Sequence, residues 1–173
     1  FIFCLLLISC LSWSSALSPF LDKKTSTNFF DFHISSTENT NSYEIPVGSS
    51  LAGKLTEKDF TDITQNFLAL FSAQAYNQAN VGINPDFNWQ SAILMGGSRL
   101  DLDSKLFYIY LHGGLARMPG NNKLSSAFVL CHELGHLLGG EPKQIQVLHG
   151  EWASCEGQAD DWSTRVCLKK WLT

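Results

Sequence analysis

The chain lacks three things that would each have pointed to a large class of proteins. It has no basic patch: Lys and Arg total 12 against 16 Asp and Glu, a net charge of −4 with both signs dispersed. That argues against a nucleic-acid partner. It has no apolar run long enough for a membrane helix, which needs about 20 residues; its longest is the stretch 1–11. It has no internal repeat, which sets aside solenoids and propellers. What remains is 173 residues, 45% of them hydrophobic, enough for one domain with its own core plus appendages.

The short run at 1–11 has the length and composition of a signal-peptide core, and Ser14-Ser15-Ala16 supplies a small-residue cleavage site. Residues 1–16 are therefore expected to be a signal peptide, and the protein to be exported, periplasmic or secreted. Leu7-Ile8-Ser9-Cys10 also has the form of a lipobox, which would leave a lipid on Cys10 as the one membrane attachment. Ordinary secretion is preferred, because a lipobox at residue 10 leaves little room for an apolar core before it. Residues 17–50 are rich in Ser, Thr and Asn around the island Phe29-Phe30-Asp31-Phe32, and read as a linker or arm. Residues 51–173 read as the folded domain. The chain does not open with Met and stops within a helical pattern at Lys169-Lys170-Trp171-Leu172-Thr173, so the domain is expected to be incomplete at its C-terminus.

Within 51–173 the patterns alternate. Thr56-Glu57-Lys58-Asp59 is a helix start, followed at helical spacing by Phe60, Ile63, Phe67, Leu70, Phe71 and Ala75, a stripe expected in the core. Gly82 to Asp86 breaks the pattern. Trp89 to Met95 reads as a strand, Gly96-Gly97-Ser98 as a turn, and Lys105 to Leu111 as a strand at a sheet edge. Asp101 and Asp103 lack the glycine and further acids of a calcium loop, so turn solvation is the reading. A final helix is expected from about Ser154 to Trp171. Together these give an α+β fold.

The chemistry lies in His132-Glu133-Leu134-Gly135-His136. On a helix the two histidines sit about 40° apart around the axis and one turn apart along it, so both imidazoles can reach one ion. Glu133 projects beside them as a general base. Around Leu134, the residues Ala127, Leu130, Cys131, Leu137 and Leu138 form an apolar face, with the histidines nearly opposite. Gly139-Gly140 then ends the helix.

Catalytic zinc takes three protein ligands. Position 142 is Pro142, so a third histidine six residues after His136 is missing. Glu156 is the better candidate, in phase with Asp160 at i, i+4. If its helix runs antiparallel to the first, Glu156 lies level with His136 and Asp160 with His132, whose distal N–H it can accept. His149 and Glu151 are rivals for the third ligand, and Asp161 for the outer carboxylate. The same register separates Cys131 from both Cys155 and Cys167 by about 9 Å along the axis, beyond the Cα separation of about 7 Å that a disulfide tolerates. Cys131 is thus expected to be a small core residue, with Cys167 free to pair elsewhere.

The spacing of these residues resembles the gluzincin branch of zinc metallopeptidases. The GGLAR, LCHELGH, LGG and EGQAD elements between Gly113 and Trp162 resemble a group of exported bacterial metallopeptidase-like proteins, over roughly the last seventy residues. The resemblance implies a zincin-like fold with a small mixed or antiparallel sheet. It implies Zn2+ on His132, His136 and Glu156, Glu133 as base and Asp160 behind His132. It also implies extended peptide substrate along the strand carrying Tyr108 and Tyr110 and the following Gly113-Gly114. Arg117 could line the cleft or make a surface ion pair. The second electrophile for the tetrahedral intermediate commonly comes from downstream; His149 is the candidate within the chain. Two other classes stay open: a non-catalytic zinc-stabilised envelope protein used for binding or as a scaffold, and a zinc amidohydrolase acting on cell-wall peptides.

Overall fold

The computed structural model describes residues 30–31, 44–143 and 152–173. The expected signal peptide lies outside the described residues, as do His149 and Glu151. Among the described residues no helix is long and apolar enough to cross a membrane.

The fold is α+β, with helices packed on one face of a small mixed sheet. Helix α1 spans Glu57–Ala79 and starts at Thr56, whose hydroxyl caps Asp59 N–H while the Asp59 carboxylate accepts the Thr56 N–H. Its stripe Phe60, Ile63, Phe67, Phe71 and Ala75 is buried, with Leu70 partly so. Strands β1 (Phe30–Asp31), β2 (Gly82–Asn88), β3 (Gly96–Asp101) and β4 (Leu106–His112) form a sheet of order β1-β3-β4-β2. The β3–β4 pairing is antiparallel, with Ser98 opposite Ile109; β2 runs parallel to β4, with Pro85 opposite Ile109. Phe107, Ile109 and Leu111 alternate into the core against α1 and the later helix α3 (Lys123–Leu138). Tyr108 and Tyr110 face the other way, with the Arg99 guanidinium 4.2 Å over the Tyr108 ring.

Several sequence expectations change here. The strand carrying Tyr108 and Tyr110 is not an edge: β4 is paired along its length by β3 on one side and β2 on the other. Its backbone has no free ladder for a substrate. Gly82 to Asp86 is a strand despite Pro85, because β2 is itself an edge, where a missing N–H costs little. Gly96 to Ser98 opens β3 rather than making a turn.

Trp89 to Met95 is not a strand, because its carbonyls are spent elsewhere. Trp89 O accepts from the Arg117 guanidinium, Ser91 O from Arg117 and the Gly114 N–H, and Ala92 O from the Ile45 N–H. Arg117 is 2% exposed and also donates twice to Ile45 O, at 2.7 and 2.9 Å. It neither lines a cleft nor makes a surface ion pair; it ties two loops to the short helix α2 (Gly113–Ala116). Gly113 and Gly114 lie in α2, beyond the substrate strand expected of them. A Cβ on them would come within 2.0 Å of Trp89 O and 1.9 Å of Ala92 O. The Gly-Gly pair followed by Arg117 is therefore a packing device.

The body also begins earlier than residue 51. Ile45 is buried, and Glu44 bridges Ile93.

A candidate metal centre between two helices

Helix α3 carries the His132-Glu133-Leu134-Gly135-His136 sequence. Asn122 caps it, its side chain accepting from Leu124 and Ser125 N–H. Ala127, Leu130, Cys131, Leu134 and Leu137 are buried against the sheet and α1. The chain turns at Gly140, φ +84°, where a left-handed backbone suits glycine. It returns so that Lys143 bridges Ser154, and helix α4 (Glu156–Trp162) then lies against α3. A π-helical turn, Ser163–Cys167, and helix α5 (Leu168–Trp171) follow. The helix expected over this stretch is thus present from Glu156 to Trp171, with one π-helical turn inside it.

Gly135 makes the close helix contact. A Cβ there would meet the Ala159 carbonyl oxygen at 2.6 Å and its Cα at 2.8 Å, both backbone. Gly135→Ala should push α4 away, costing about 1–3 kcal/mol by the usual scale of overpacking. A denaturant melt reads the loss, and zinc affinity should fall with it.

Cys131 and Cys167 form a disulfide, with Cα atoms 5.6 Å apart. This overturns the expectation that Cys131 is an unbridged core residue. That expectation assumed two straight, collinear antiparallel helices. Instead, Cys131 meets Cys167 and Gly135 meets Ala159. Four residue steps on α3 thus face eight on the stretch from Ala159 to Cys167, which contains the π-helical turn. A one-for-one register does not survive that mismatch. Cys155 remains a free, buried thiol.

At the facing ends of α3 and α4, His132, His136 and Glu156 come together, with their nearest ligand atoms within 4.8 Å of one another. The His132 and His136 Nε2 atoms are 3.1 Å apart; Glu156 Oε2 is 3.1 Å from His132 Nε2, and Oε1 is 3.7 Å from His136 Nε2. Two ligands on a tetrahedral zinc, each about 2.05 Å from the ion, sit about 3.4 Å apart. The three separations bracket that value.

The outer nitrogens set the tautomers. His136 Nδ1 is 2.8 Å from the Ser154 carbonyl, an acceptor only, so Nδ1 donates and Nε2 presents its lone pair. The Ser154 N–H in turn donates to His136 O at 2.7 Å, clasping the residue from both ends. His132 Nδ1 is 2.8 Å from Asp160 Oδ1, which fixes that ring the same way. Two lone pairs and a carboxylate thus converge on one point, an arrangement that calls for a cation. Imidazole nitrogens with one carboxylate suit zinc, so the residues present fit the expected group.

Without a metal, a proton takes that place. Burial pulls the His132 pKa down, but the Glu156 hydrogen bond, the Glu133 and Glu156 charges and the Asp160 hydrogen bond outweigh it and raise the value from 6.5 to about 9. His136 is lowered, chiefly by burial. The His132 hydrogen bond holds Glu156 below the ordinary carboxylate range. The folded metal-free protein thus holds the His132 proton more tightly than the unfolded chain does. The resulting stability is complete below about pH 6.5 and is lost as pH rises through about 9. The loss should reach up to about 3 kcal/mol, readable as urea midpoints across that range. Zinc competes with the same proton, so its affinity should weaken toward acid pH.

Glu133 lies on the core side of α3, 3% exposed, and accepts a hydrogen bond from Ser98 Oγ at 2.8 Å. Sequence reasoning missed Ser98 and Ser154. Each acts through a contact distant in sequence, and neither sits in a motif.

Comparison of the chain with family models, curated proteins and solved structures finds no match.

Proposed function

We propose that the protein is an exported zinc metallopeptidase of gluzincin type. The observation that carries this is the convergence of His132, His136 and Glu156 donor atoms, with the Glu133 charge close enough to help raise the His132 pKa. A purely structural zinc site has no use for a buried carboxylate next to its ligands. The Cys131–Cys167 disulfide supports export, since such bonds persist in oxidising compartments.

Zinc held by the three residues would supply a Lewis acid that acidifies water and polarises a carbonyl. Glu133 takes the proton from the attacking water and hands it to the departing amine. Asp160 and the Ser154 carbonyl keep both imidazoles in the ligating tautomer. Extended substrate would pair along β3 rather than β4, beyond Gly97 and Ser98, the two residues that β1 already occupies.

The test is an assay of the zinc-loaded protein on casein or a quenched peptide, with and without chelator. Cleavage that stops with chelator and returns with zinc is the expected result. No cleavage by a protein carrying one zinc per chain would overturn the proposal and favour the binding or scaffold reading.

A further inference from the structure

We propose that Ser98 is the positioning residue for Glu133, holding its carboxylate in one orientation through the bond to Oε2. The role rests on the hydrolase reading above.

Ser98 is fully buried on β3, at a position whose cross-strand neighbour on the core side is Ile109. An aliphatic side chain would satisfy that environment, so a hydroxyl there needs a partner. Two acceptors lie within reach, both on Glu133: the carboxylate Oε2 at 2.8 Å and the main-chain carbonyl at 3.4 Å. The short contact decides the assignment, since O–H···O bonds centre near 2.7–2.8 Å. An ionised carboxylate only accepts, so the serine donates.

The arrangement suits a base that must not wander. A glutamate on a helix has three side-chain torsions, and a donor on the same helix would move with it. Ser98 stands on a different element, and the β3–β4 ladder fixes its backbone on both sides, from Gly96 to Asp101. The bond therefore references Glu133 to the sheet. It also joins the base to β3, the strand proposed to carry substrate.

The experiment uses the full chain with Ser98→Ala, Ser98→Thr, Glu133→Ala and the Ser98/Glu133 double variant. Ser98→Ala should lower kcat about 10- to 100-fold, the scale seen when an outer partner of a metal site is removed. KM and one zinc per chain should be unchanged, and Ser98→Thr, which keeps the hydroxyl, should recover most of the rate. In metal-free protein, the Tm shifts of Ser98→Ala and Glu133→Ala should fail to add in the double variant, because the two share one bond. Additive Tm shifts would overturn the bond, whether or not Ser98→Thr folds. A kcat within twofold of the parent, or equal losses in zinc content and rate, would overturn the positioning role. A parent without zinc-dependent cleavage would sink the hydrolase reading and this role with it, while the Tm cycle would still report on the contact.

Discussion

Glu133→Gln is expected to cut kcat for peptide cleavage by about a thousandfold, within the range that general-base catalysis supplies. Metal content should stay at one zinc per chain. The amide has nearly the same shape as the carboxylate, and its oxygen can still accept from Ser98, so the helix contact survives. It cannot take a proton from water. Glu133 is not among the three converging donors, so the ion has no reason to leave. Steady-state kinetics with metal analysis on the same preparation check both halves. Activity within tenfold of the parent would remove Glu133 from the mechanism.

The second large effect concerns the brace behind the site. Cys131 lies on α3 one residue before His132, and Cys167 ends the π-helical turn that follows α4. The bond spans a sequence separation of 36, and closing a loop of that size restricts the unfolded chain by about 4 kcal/mol. Reduction, or Cys167→Ser, should therefore lower Tm by about 10 °C. Zinc affinity should fall too, because Glu156 and Asp160 come from the helix that the bond fastens to α3. A thermal melt with and without reductant, paired with a competition for zinc, tests both. An unchanged melt would mean that packing alone holds the two helices.

Local patterns carried far into this fold. The α1 stripe from Phe60 to Ala75 has helical spacing, and those side chains face the core. The phase of Glu156 with Asp160 needs only the helical repeat, and the structure sets both against the two histidines. Long-range pairing is where the sequence is silent. Nothing local says that β4 runs between β3 and β2, because a buried central strand and a half-buried edge can both read as short apolar runs. Pro85 argues against a strand until its place at the sheet edge is known. Trp89 to Met95 has strand composition but gives its carbonyls to Arg117, Gly114 and Ile45. The Cys131–Cys167 pairing is invisible to a one-for-one antiparallel register, because four residue steps on α3 face eight on the partner stretch. Ser98 and Ser154 are small polar residues whose meaning depends on what faces them.

The proposed function depends on His132, His136 and Glu156 holding one metal ion. Zinc titration against a chromogenic chelator tests it most directly, on the parent and on His136→Ala and Glu156→Ala. One tight zinc per chain is expected in the parent, no tight site in His136→Ala, and binding at least about 100-fold weaker in Glu156→Ala. A parent that takes up no zinc, or a Glu156→Ala variant that binds it as tightly as the parent, would rule out this metal centre.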